Sequence, residues 1–275
     1  MRHASPLPGA SSWRKCAAMI VRALSLTIAL SLAAPALAQS PGTDPARRYS
    51  ACMAQARAEP VRAVSAAQQW YKEGGGLAAR HCAAIAFYGL GQYVEAGTEL
   101  ERLGREMTGQ SAQLRAEVFA QAGQAYQAAR LGEKALAMQN AAILLDPRNA
   151  DIWVDRSITF AAVSAWREAA SDLSRALELS PNRTDVLALR AAAWRNAGDA
   201  AKALADAEAA LKLEKDYPDA LLERGLARRL RNDRAGSDAD LRRVIALAGE
   251  ASELGKRAKD ALQGTAPAKP TPPKR

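Results

Sequence analysis

His81 and Cys82 stand side by side, and a thiol next to an imidazole has the composition of a nucleophile and its base. On a helix, however, neighbouring side chains point about 100° apart, so the two are poorly placed to pass a proton. A zinc centre would need more donors than His81, Cys82 and Cys52 supply. Gly74-Gly75-Gly76 lacks both a preceding strand and the Lys-Ser/Thr of a phosphate loop, and reads as a helix stop. Asp238 and Asp240 lie in a polar stretch that offers no apolar setting to make one an acid and the other a base. No Cys-x-x-Cys-His haem signal occurs. We therefore expect no enzyme: no catalytic residue, no cofactor and no metal.

The elements that carry these residues are set by a 34-residue period. Segments 116–149, 150–183, 184–217 and 218–251 align without a gap. Position 4 of each holds a large anchor: Phe119, Trp153, Leu187 and Leu221. Position 8 is small (Gly123, Ser157, Ala191, Gly225), and so is position 20 (Ala135, Ala169, Ala203, Ser237). Position 27 is Ala142, Ala176, Ala210 and Val244, and position 30 is leucine throughout, at 145, 179, 213 and 247. Large residues facing small ones let antiparallel helices interdigitate. Pro147 and Pro181, at position 32, cannot continue a helix and close the second helix of their repeats.

These columns resemble the tetratricopeptide repeat family, strongly over 116–251 and weakly over 77–110, where Leu90-Gly91-Gln92-Tyr93 and Ala96 carry the likeness. Position 11 departs from the pattern in the last repeat, where Arg228 replaces an aromatic, and position 32 departs in the third, where it is Lys215. The resemblance implies an all-α fold: a right-handed superhelical solenoid of antiparallel helix pairs with an irregular helical N-terminal cap. We expect a signal peptide at 1–38, a linker at 39–44 and the cap at 45–115, its helices near 45–58, 61–72 and 77–90. Four repeats follow at 116–251, then a capping helix at 252–263 carrying Leu254, Ala258, Ala261 and Leu262 on one side. A disordered Ala/Pro/Lys tail completes the chain at 264–275.

In proteins that resemble this family, ligands lie along first-helix positions 2, 5, 9 and 12. Carried onto this sequence, position 2 is an acidic ladder, Glu117, Asp151, Asp185 and Asp219. Val154, Ile158, Ala188, Ala192, Leu222 and Leu226 would form an apolar middle, of which Val154, Ile158, Leu222 and Leu226 are expected to be exposed, with Arg195 and Arg229 as a basic border. The acids also suit the first turn of a helix, where the backbone dipole favours carboxylates. Ala120, Asp155 and Asp185 stand where relatives that clamp a peptide carboxylate use Lys, Asn or Arg, so the partner expected is a protein or peptide with an apolar, partly basic segment.

Arg14, Lys15 and Arg22 precede the apolar run 23–32, and Ala36-Leu37-Ala38 suits cleavage before Gln39. About 16 apolar residues interrupted by Pro35 are short for a bilayer span. Loss of 1–38 removes four cations and no acids, taking the formal charge from +9 to +5. Little charge is left to support nucleic-acid binding, and membrane contact would be peripheral at most. The cluster Arg224, Arg228, Arg229, Arg231 and Arg234 is interleaved with acids and reads as a solvated face. The expected chain after cleavage keeps two cysteines, an even count in an oxidising compartment. Cys52 and Cys82 lie on helices that can run side by side, so we expect a disulfide, with two reduced core thiols as the alternative. These readings describe a periplasmic, non-enzymatic scaffold in cell-envelope biogenesis. The alternative is a module for cell-wall glycan or exopolysaccharide, although the rings it would stack on, Trp153, Phe160 and Trp194, fall in packing columns.

Overall fold

The computed structural model describes residues 44–264, which divide into two compact units, the first ending at Pro147 and the second starting at Arg148. The signal-peptide reading of 1–38, nearly all of the linker 39–44, and the tail beyond Gly264 lie outside the described residues.

The N-terminal unit contains α1 (Pro45–Ala58), α2 (Pro60–Trp70), α3 (Gly76–Gly89), α4 (Tyr93–Glu106), α5 (Ala112–Ala128) and α6 (Gly132–Leu145). Asp44 caps α1 by accepting from the Ala46 N–H at 3.0 Å, and Pro45 and Pro60 occupy first-turn positions where the missing N–H costs nothing. The second helix was expected to reach Lys72. The regular helix ends at Trp70, Tyr71 keeps helical angles, and the chain kinks at Gly74, whose left-handed φ of 92° ends the helical run. A Cβ on Gly75 would lie 2.6 Å from the Trp70 ring, so the indole folds back over a residue that has to be glycine. Trp70 closes a core made with Cys52, Ala56, Ala63, Ala67, Ala79, Cys82 and Ala86.

The C-terminal unit stacks α7 (Ala150–Ala162), α8 (Trp166–Leu179), α9 (Thr184–Asn196), α10 (Ala200–Leu213), α11 (Pro218–Leu230), α12 (Arg234–Ala248) and α13 (Glu253–Leu262). The small columns allow the close approach their spacing predicts. Ala135, Ala169, Ala203 and Ser237 are all completely buried. At position 8, a Cβ on Gly123 would press to 2.7 Å from Gln139, and one on Gly225 to 3.2 Å from Leu241. The expected capping helix is α13, which starts on the Ser252 hydroxyl and buries Leu254, Ala258 and Ala261 against Leu221, Leu222 and Leu241.

The turn within each pair has a feature that the columns did not announce. Position 15, between first and second helices, is left-handed in all four repeats: Arg130 (φ 61°), Ser164 (62°), Gly198 (87°) and Asn232 (65°). Gly91 (76°) takes the same place in the degenerate repeat. This residue ends the first helix and aims the second back along it. A branched side chain is the worst occupant of that conformation, so Gly198→Val should lower the unfolding free energy by about 1–2 kcal/mol in urea denaturation. Ser164→Gly should cost nothing measurable.

Candidate interaction site

The face built by α7, α9 and α11 carries most of the residues singled out for binding, and its charged members are engaged with one another. Arg183 lies between two rungs of the acidic ladder. It donates to both Asp185 oxygens at 2.9 and 2.7 Å and to Asp151 at 2.9 Å. Burial alone would raise the Asp185 carboxyl, but the Arg183 guanidinium outweighs it and holds the group below its ordinary range. The basic border is also spent. Arg195 donates to Glu223 at 2.6 Å, and Arg229 to Asp238 at 2.8 Å. Glu223 accepts in addition from Arg257 of the capping helix at 3.2 Å.

The apolar middle differs from the expectation of an exposed strip. Val154, Ile158, Ala188, Ala192 and Leu222 are all buried, and Leu226 is half-buried. The 34-residue columns report which side of a helix a residue occupies. They do not report how far that side is open to water.

A second charge pattern runs through the same unit. Arg156 donates through Nε and Nη2 to Asp172 at 2.8 and 2.7 Å, Arg190 likewise to Asp206 at 2.8 and 2.7 Å, and Arg224 to Asp240 at 2.9 and 2.6 Å. Each pair is 16 residues apart and joins position 7 of a first helix to position 23 of the second. The aspartates are buried, which corrects the reading of Asp240 as an exposed polar residue. It also corrects the Arg-rich stretch: Arg224 and Arg228 both reach Asp240, whereas Arg231 and Arg234 are exposed. Burial outweighs Arg156 at Asp172 and pushes that carboxyl up. In the first repeat the same two positions hold Ala122 and Met138, both buried.

In the N-terminal unit, His81 pairs with neither cysteine. The Tyr49 hydroxyl lies 2.6 Å from His81 Nδ1, and Gln121 Oε1 lies 2.7 Å from Nε2. A neutral imidazole with its proton on Nε2 satisfies both partners: the tyrosine donates to Nδ1, and Nε2–H donates to the glutamine. Burial, against the opposing pull of Gln121, lowers the pKa and favours that neutral form. Cys82 is consumed by the Cys52–Cys82 disulfide, which links α1 to α3 with Cα atoms 6.0 Å apart. Nearby, burial and then the Asp146 charge raise the Glu117 carboxyl above its usual range. No sequence signal joins Tyr49 to His81 or Gln121. Among the described residues no group of three or more His, Cys, Asp or Glu side chains is disposed to hold a metal ion. Nor is any described helix long and apolar enough to cross a membrane.

The aromatic rings expected in packing columns are capped by cations. Arg156 sits 4.9 Å from the Trp153 ring centre and 5.6 Å from that of Phe160, and Lys202 lies 4.2 Å from that of Trp194.

Residues 122–194 match the family model described as tetratricopeptide repeat. Over this stretch the chain carries tetratricopeptide repeats. No curated protein matches it. Among solved structures, the crystal structure of MamA protein is 15% identical with a TM-score of 0.55, covering 64% of this chain and 94% of that one. YrrB, described as a tetratricopeptide repeat protein with an unusual peptide-binding site, is 18% identical with a TM-score of 0.54, covering 70% and 96%. A protein of Thermus thermophilus, TTC0263, described as a thermophilic member of the same repeat class, is 21% identical with a TM-score of 0.52, covering 66% and 95%. At these identities the likeness concerns the fold, a solenoid of stacked helix pairs.

The bonded state of Glu223 gives this face a pH dependence. Burial opposes ionisation, but the Arg195 and Arg257 charges outweigh it, and the carboxyl is held below its ordinary range. A depressed folded pKa means the stabilisation is fully present above the unfolded value of about 4.3 and is lost as pH falls through the folded one. Stability should therefore decline below about pH 4. Glu223→Gln should be less stable at neutral pH but lose less on acidification, as followed by urea denaturation at each pH.

Proposed function

We propose that this tetratricopeptide repeat protein is an exported, non-enzymatic adaptor of the cell envelope that holds a partner protein on its first-helix faces. Solenoids of this fold are scaffolds for protein–protein contact, and the observation that carries the reading is the run of helix pairs repeating over 116–251. The bridge between Cys52 and Cys82 supports an oxidising compartment, as does the leader-like composition of 1–38. Envelope biogenesis is proposed from that combination.

The partner we infer is a segment with apolar side chains and some basic residues. Glu117 supports the basic part: its carboxyl is raised by burial and by Asp146, and a cation brought by a partner would relieve both effects. Leu226, half-buried on α11, supports the apolar part. Asp151 and Asp185 can receive a partner's cation only in competition with Arg183, so they contribute specificity more than affinity.

In-cell crosslinking followed by mass spectrometry tests this reading. Glu117→Lys and Leu226→Glu, made in separate chains, should each reduce capture of a partner that the unaltered chain retains; Leu222 is unsuitable because it is fully buried. Fractionation of the same cells should find the protein exported, starting at Gln39, with both thiols blocked until reduction. Undiminished capture would refute the binding face, and a cytoplasmic protein with free thiols would refute the compartment.

A further inference from the structure

The helix pairs of the C-terminal unit stack in one direction, so the turns inside the pairs come out at the same edge. They are 163–165 between α7 and α8, 197–199 between α9 and α10, and 231–233 between α11 and α12. This edge keeps large aliphatic side chains in water: Val163 is 48% exposed and Leu230 44%. Trp166, at the start of α8, is half-buried, and the middle turn carries the small Ala197, Gly198 and Ala201. The N-terminal unit, taken by itself, leaves Leu90, Val94 and Leu131 exposed at or beside its own turns. Apolar residues exposed among polar ones mark a contact surface when they share one edge.

The charges on this edge do not cancel. Asp199 is paired with Lys202 at 3.2 Å, and Asp233 with Arg228 at 3.7 Å. Arg167, Arg231 and Arg234 are exposed and take part in no ion pair among the described residues. Over 162–168, 196–202 and 230–235 the one other acid is Glu168, so three positive charges stand against one negative. In the turn between the third and fourth repeats, at the opposite edge, Asp216 holds Arg243, and the exposed Glu214 and Lys215 offset each other. An apolar edge with surplus arginine fits a surface that is anionic outside and apolar just beneath, which is the make-up of a phospholipid bilayer. A soluble polyanion would use the arginines but leave Val163 and Leu230 in water.

We propose that this turn edge of the C-terminal unit lies against an anionic phospholipid surface. Arg167, Arg231 and Arg234 meet the headgroup phosphates, and Val163, Trp166 and Leu230 enter the interfacial layer. The contact is peripheral, because it uses turns and inserts no helix. This edge is separate from the first-helix faces, so its fate is independent of the adaptor reading.

Co-sedimentation with vesicles tests the assignment, using the chain from Gln39 onward, which contains every described helix. It should bind vesicles of phosphatidylglycerol and phosphatidylcholine in equal parts, and bind pure phosphatidylcholine at least about tenfold more weakly. Arg167→Gln with Arg231→Gln should weaken binding about twentyfold, since a cation at such a surface is worth about fivefold. Lys212→Gln with Lys215→Gln removes the same charge from exposed positions toward the opposite edge, and should change binding less than about threefold. Val163→Thr with Leu230→Gln keeps the charge and should weaken binding at least about threefold. No binding to the anionic vesicles, or an equal loss from the lysine pair, would overturn the proposal. Full binding by Val163→Thr with Leu230→Gln would overturn it as well, leaving a site for soluble polyanions only.

Discussion

A guanidinium and a carboxylate removed from water together have to satisfy each other, and in the C-terminal unit this happens three times in the same two columns. Arg156 with Asp172, Arg190 with Asp206, and Arg224 with Asp240 each tie the first helix of a pair to the second through two short bonds. The geometry of each pair has to deliver these groups within bonding distance, so the tie fixes how the two helices slide and rotate against each other. The small columns at positions 8 and 20 allow that approach, and the left-handed residue at position 15 turns the chain to make it. A buried pair of this kind is a weak source of net stability but is costly to break on one side. The first repeat supports this view. Its Ala122 and Met138 fill the same places with apolar bulk, and its helices still pair.

The same economy of charge shapes what the surface can offer. The acidic ladder already holds a resident cation, Arg183, and the basic border is bound to Glu223 and Asp238. A ligand on this face meets neutralised pairs and must exchange partners with them. Recognition then depends on geometry more than on long-range attraction, unlike a surface with a single sign of charge. In the N-terminal unit the balance differs. Glu117 stands without an ion-pair partner among the described residues, and the basic part of the proposed partner would meet it there.

How much of this was legible in the sequence depends on the range of the interaction. Helix pairing and the small columns follow from a period that repeats four times, and α1 spans the expected residues 45–58. The Arg–Asp ties were equally periodic: three arginines at position 7 and three aspartates at position 23 stand in plain view. They pass for solvated charges because neither column, taken alone, shows burial. The Tyr49–His81–Gln121 chain was not legible at all, since it joins residues 32 and 40 apart that share no repeat column. By contrast, the stop at Gly74-Gly75-Gly76 was legible, since the left-handed Gly74 breaks the helix where the three glycines announce it. Exposure of the apolar strip also lay beyond the columns, which give a side's direction and not its cover.

The ties are tested most directly by giving the third repeat the residues of the first. Arg190→Ala and Asp206→Met are made singly and together, and the unfolding free energy of each protein is measured in urea. If the pair acts as argued, each single change strands a buried charge and costs about 3–5 kcal/mol, while the double change recovers most of that loss. Single changes costing less than about 0.5 kcal/mol, the range of an ordinary surface substitution, would contradict the account. So would a double change as damaging as the two singles added together.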